Sequence, residues 1–135
     1  MSEIFKPTDL VVAKADVPVR RMGPYRAQWA QWAGYAIAFE SVPAGFPPGG
    51  DAVWEGLPED LCQCPHWGYL TSGKALLRLS DGQEHTINAG DLYYCPPGHK
   101  LYSIEGFENI EFNPAPEAQA TIEMFAANIA RQEQK

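Results

Sequence analysis

Three side chains able to bind a metal ion stand close together in the middle of the chain. Cys62, Cys64 and His66 occupy alternate positions in the run LCQCPHWGY. An extended backbone points alternate side chains to one face, with same-face neighbours about 6.5–7 Å apart at Cα. Thiolate and imidazole at that spacing can share one ion through bonds of about 2.0–2.3 Å. Cys62 and His66 would lie about 13 Å apart in a straight strand, so Pro65 or a strand-to-strand turn must bend the chain if both are ligands. The alternative is that the cysteines are small buried hydrophobes. A disulfide between Cys62 and Cys64 would be strained.

A second histidine stands in a defined place. His99 follows Pro96-Pro97-Gly98, a rigid turn that aims it as a ligand or as an acid/base group titrating near neutrality; otherwise it is a loop residue in water. His85, among Gln83, Glu84 and Thr86, reads as exposed. Asp60 is a candidate ligand or acid/base, while Glu59 reads as a solvated turn residue. Trp67, Tyr69, Tyr93 and Tyr94 are candidates for a substrate pocket or for barrel wall. The sequence contains no Gly-x-Ser-x-Gly elbow and no phosphate-cradling or dinucleotide-binding glycine loop.

The elements that must position these groups are short strands. Trp29 to Ser41 reads as one half-buried strand, since Tyr35, Ile37 and Phe39 alternate. GFPPGG at 45–50 is a loop by composition, and Val53 to Pro58 is ambiguous. Trp67 to Thr71 and Lys74 to Ser80 read as strands separated by a Ser72-Gly73 turn. Asp81-Gly82 signals a tight hairpin, returning through Gln83 to Ile87. Leu92 to Cys95 is a strand stopped by Pro96. Leu101 to Ile104 and Phe107 to Phe112 flank a Glu105-Gly106 turn. Turn signals about every 8–12 residues are the rhythm of a sandwich or small barrel. Pro116 suits a first helical turn. After it, Ala118, Ile122, Phe125, Ala126 and Ile129 recur at helical spacing, predicting an amphipathic helix of about four turns on the barrel exterior, frayed from about Arg131.

Composition narrows the function. A chain of 135 residues suits one domain. Twelve prolines and twelve glycines fit a turn-rich β domain and not a helical bundle. With 10 basic and 17 acidic residues, the net charge is −7, which disfavours nucleic acid and anionic membranes as partners. The run Leu10 to Ala13 is too short for a signal-peptide core or a membrane span. Three cysteines are few and odd in number, so the expectation is reduced thiols in a cytoplasmic protein.

From Leu61 to Phe112 the chain resembles a cupin, a small double-stranded β-helix or jelly-roll barrel with two short motifs. The second motif has Gly, five residues, Pro, one residue and Gly, matched by Gly90, Pro96 and Gly98. Its metal-binding His slot falls on Leu101, with His99 two places early. Setting the Gly of the first motif on Gly73 puts its Glu slot on His66 and its two His slots on Asp60 and Cys62. No slot holds its usual residue, yet the replacements are themselves able to bind metal. The wider pattern is similar to a bacterial cupin subgroup of unassigned activity.

The resemblance implies an all-β jelly-roll barrel over residues 29–113, with an N-terminal arm and short strand (1–28) and a C-terminal α-helix (114–135), in one domain. It brings the slots of Cys62 and His66 together. It implies one divalent metal, zinc or iron by ligand softness, held by His66, His99 and one or both of Cys62 and Cys64, with a small molecule inside the barrel. Cupins span many reactions, so the fold selects none. The alternatives are a metal-free binding or sensing barrel, and a structural zinc. A homodimer is expected, both because cupins commonly pair and because the apolar N-terminal segment would otherwise leave strand edges unpaired.

Overall fold

The computed structural model describes residues 9–134; the expectations for residues 1–8 lie outside them. Seven antiparallel strands form the body: β1 (Val19–Met22), β2 (Tyr25–Trp32), β3 (Tyr35–Val42), β4 (His66–Leu79), β5 (Glu84–Asn88), β6 (Leu92–Cys95) and β7 (His99–Pro114). Their order is β1-β2-β3-β7-β4-β5, with β6 paired to the first part of β4. One helix, α1 (Ala115–Glu133), follows. The fold is the expected all-β jelly roll with a C-terminal helix.

Three local readings change. The segment from Trp29 to Ser41 is a hairpin and not one strand. Trp32 pairs with Tyr35 across a two-residue turn whose residues both have positive φ, 51° at Ala33 and 82° at Gly34. That is the primed geometry that matches strand twist, here with alanine at its first position. The Ser72-Gly73 and Glu105-Gly106 turns are bends within the long strands β4 and β7. These strands stay paired from Trp67↔Phe112 to Leu79↔His99, with register shifts at Leu70/Ser72 and Lys74/Ala75. Gly73 has φ +84°, and a Cβ there would stand 1.7 Å from the Gly106 carbonyl oxygen. Only glycine lets the two backbones cross so closely at a bulged corner.

The third change concerns the helix. It runs to Glu133, beyond the expected fraying point, and it lines the interior. Ala118, Thr121, Ile122 and Phe125 share a cavity wall with His66 and His99. Buried Asn128 fastens α1 to the loop before β4, donating to the carbonyls of Val53 (2.7 Å) and Glu55 (2.9 Å). That satisfies two backbone acceptors in a desolvated place. Trp54 in the same loop packs edge-on against Phe125, with ring centroids 6.2 Å apart. Two apolar clusters result. One, built on Val53, Trp54, Ala115 and Ile129, lies under the helix. The other, built on Leu70, Leu77, Ile87 and Phe107, fills the opposite end.

Candidate metal centre

The turn that the Cys62–His66 spacing requires is present. Cys62 lies in the loop before β4 and makes an isolated bridge with His99 at the start of β7. Its N–H donates to the His99 carbonyl (2.9 Å), and its own carbonyl accepts from Gly98 (2.8 Å) and His99 (3.2 Å). His66 then opens β4, opposite Cys95. The Cys62 Sγ lies 3.6 Å from His66 Nε2. The imidazoles of His66 and His99 meet edge to face, with centroids 4.9 Å apart. One ligand atom from each of Cys62, His66 and His99 fits within 4.8 Å of the others. His99 and Leu101 are one pleat apart on β7 and both line the cavity, so a histidine two places early still faces inward.

Each imidazole is oriented through its other nitrogen. His99 Nδ1–H donates to the Pro96 carbonyl (2.6 Å). His66 Nδ1–H donates to Asn113 Oδ1 and lies 3.3 Å from Glu111 Oε1. The Asn113 amide is itself held by the Ala36 and Glu111 carbonyls. Both Nε2 atoms are thereby left as acceptors, the arrangement that outer partners impose on metal-binding histidines. Burial pushes His99 down to about 4, so its imidazole is neutral at pH 7, the form that binds metal. The donor set of one thiol and two imidazoles fits zinc or iron.

The other sequence candidates are placed elsewhere. Cys64 is buried among the apolar residues beneath α1. Its thiol approaches the Pro65 carbonyl (3.5 Å), and burial raises its pKa, which keeps it a thiol. Asp60 is exposed, and its Oδ1 accepts from the Gly56 N–H (3.1 Å), tying the loop together. Trp67, Tyr69 and Tyr94 project from the outer face of the sheet, because inward positions on these strands fall to His66, Gly68, Leu70, Tyr93 and Cys95. Tyr93 points inward and donates to Glu111 Oε2 (2.6 Å). Gly68 makes room for it, since a Cβ there would strike the Tyr93 ring at 2.3 Å.

Sequence reasoning missed the acidic wall beside the centre. Glu40 on β3 and Glu111 on β7 both line the cavity. Tyr25 donates to Glu40. The Asn109 amide reaches Glu40 Oε1 (3.0 Å) and the Tyr93 hydroxyl (2.8 Å). Burial first, then the neighbouring Glu111, pushes Glu40 up to about 8. Burial pushes Glu111 up to about 7, opposed by hydrogen bonds from Tyr93 and with Glu40. The available signal was the alternation Asn109, Glu111, Asn113 along β7, polar at every second residue, with Ile110 and Phe112 between them.

No family model and no curated protein matches this sequence. Solved structures do. An RmlC-like cupin from Shewanella frigidimarina is 14% identical, with a TM-score of 0.61 over 82% of this chain and 96% of that one. Ectoine synthase from P. lautus is 10% identical, with a TM-score of 0.60 over 85% and 86%. Oxalate decarboxylase from Lactobacillus farciminis is 15% identical, with a TM-score of 0.56 over 84% of this chain and 35% of that one. With the strand order and the inward-facing Cys62, His66 and His99 described above, these likenesses establish that the chain has the cupin fold.

Proposed function

We propose that the protein binds one divalent metal, zinc or iron, through Cys62, His66 and His99, and admits a small molecule to the cavity beside it. The observation that carries this is the convergence of three oriented donor atoms within 4.8 Å on the cavity wall. Three protein ligands leave further positions open, whereas a structural zinc takes four. Cys64, the residue best suited to be a fourth, is fully buried and belongs neither to the converging donors nor to the cavity wall. Such an ion would supply Lewis acidity to a molecule in the cavity. The chain's own residues bind and orient that molecule: Trp29, Phe46, Phe107 and Phe125 give apolar contact, and Glu40 and Glu111 give hydrogen bonds.

The test is metal content. Protein purified after incubation with zinc or ferrous ion should carry about one ion per chain by elemental analysis. Cys62→Ala, His66→Ala and His99→Ala should each retain less than a tenth of that, while Cys64→Ala retains it. Wild-type protein without metal, or full occupancy in the His99 variant, overturns the reading.

The homodimer reading rests on the outer face. Tyr35, Trp67, Tyr69, Leu92, Tyr94 and Phe112 are exposed and adjacent through the pairings of β3, β7, β4 and β6. None carries charge, so two acidic copies can meet there face to face. Among the described residues no helix is long and apolar enough to cross a membrane. Three buried, unpaired cysteines fit the cytoplasmic reading.

A further inference from the structure

The described cavity lining holds two carboxyls, Glu40 and Glu111, and no lysine or arginine. The remaining wall is rich in rings: Tyr25, Trp29, Phe46, Trp54, Phe107 and Phe125. Tyr25 and Phe46 lie 5.9 Å apart by centroid, and Trp54 meets Phe125 edge-on. Ring faces attract cations and repel anions. A buried carboxylate needs a positive partner or a proton.

We infer that the small molecule taken into this cavity is an organic cation, a primary or substituted ammonium compound, with its charged nitrogen beside Glu40 and its apolar body among the rings. This rests on the reading that the cavity is a ligand site. The lining supports it: an ammonium group would be the positive partner that lets the buried Glu40 ionise, and no lysine or arginine lines the cavity to take that place. The upward displacement of Glu40 is what a carboxylate lacking its cation exhibits. An anionic ligand would meet Glu40, Glu111 and the quadrupoles of the rings together.

Size narrows the class. The cavity is about 90 Å³, smaller than the roughly 150 Å³ that accommodates benzene, so about four non-hydrogen atoms fit without opening the barrel. Propylammonium, propan-1-ol and propionate are therefore matched probes, titrated by calorimetry into wild type and Glu40→Gln, each with and without zinc. Propylammonium should bind wild type at least tenfold more tightly than propan-1-ol, and propionate should not bind. Glu40→Gln should weaken propylammonium about tenfold and leave propan-1-ol unchanged. Propan-1-ol or propionate binding as well as the cation overturns the charge assignment alone. No binding by any probe overturns the ligand-site reading with it. The ranking in wild type decides the matter even if the variant does not fold.

Discussion

The inner and outer faces of one β wall carry opposite chemistry, each the reverse of the usual arrangement. Inside, β7 presents Asn109, Glu111 and Asn113, all buried. Outside, the intervening Ile110 is half-buried and Phe112 is 47% exposed. On β3 the inward Glu40 lines the cavity and the outward Tyr35 is exposed, while the inward Ala36 and Ala38 are fully buried. An ordinary sheet buries its large apolar side chains and turns polar ones to water. Reversing the pattern costs desolvation inside, which only satisfied hydrogen bonds offset. The polar interior suits the proposed metal and ligand, and the apolar exterior suits the proposed contact between two copies. Small residues such as Ala36, Ala38 and Gly68 keep the interior open beside the polar groups.

The largest expected effect removes both faces at once. The corner at Gly73 and Gly106 lets β4 and β7 continue through the bend. Gly73→Val would place a branched side chain against backbone 1.7 Å away, at φ +84°. A loss of at least about 3 kcal/mol is expected, from left-handed strain plus the clash. Chemical denaturation or loss of soluble expression would register it. A variant as stable as wild type would mean the strands do not cross at this corner.

The next effect belongs to the inner face alone. In the folded, metal-free protein the Glu40 carboxyl is raised to about 8 from its ordinary 4.5. The folded state keeps a proton that the unfolded chain has already lost. Glu40 therefore stabilises fully below about pH 4.5, and that contribution is lost as pH climbs through about 8, with no further slope above. Glu40→Gln abolishes this slope. Its stability relative to wild type should rise between pH 5 and pH 8, on the order of 3 kcal/mol. Urea midpoints at the two pH values measure it. A constant difference would mean Glu40 is solvated.

The outer face predicts a smaller change in stability and a large one in mass. Tyr94→Glu places a charge at the centre of the apolar face. Sedimentation should show wild type at twice the chain mass and the variant at once. Monomer stability should change by less than about 1 kcal/mol, as for surface positions, and metal content should not change. A wild-type protein that is monomeric at high concentration would mean that the outer face makes no contact between copies.

Much of the fold was legible because turn chemistry is local. Asp81-Gly82 and Pro96-Pro97-Gly98 specify where strands stop, and Pro116 marks the helix start. Ala33-Gly34 was not legible, because alanine at positive φ has no sequence signature and is held by the pairing on either side. Gly73 and Gly106 were legible as breaks but not as bends, since only their mutual contact distinguishes the two. At the site, Cys62, His66 and His99 stood out by residue type. Glu40 and Glu111 did not, because an alternating strand is read with its apolar side inward, and here that side faces out. Which of Trp67, Tyr69, Tyr93 and Tyr94 faces the interior depends on the same parity, which His66 at the head of β4 fixes.

The smallest expected effect tests where the inner face ends. Asp60 is adjacent in sequence to the candidate metal-binding segment and, in the cupin resemblance, falls on a His slot of the first motif. In the fold it is exposed and accepts one hydrogen bond from Gly56. Asn at this position keeps an acceptor oxygen and a positive-φ backbone, since Asp60 has φ 57° and Asn tolerates that region better than most residues. Asp60→Asn should therefore change stability by no more than about 0.5 kcal/mol and leave metal content and affinity unchanged. Asp60→Ala should cost more than Asp60→Asn, since it removes the acceptor and puts a non-polar residue at positive φ, yet should still leave the metal in place. A fall in metal affinity for Asp60→Asn at full stability would move the boundary of the site outward, and would make the loop before β4 a source of ligands beyond Cys62.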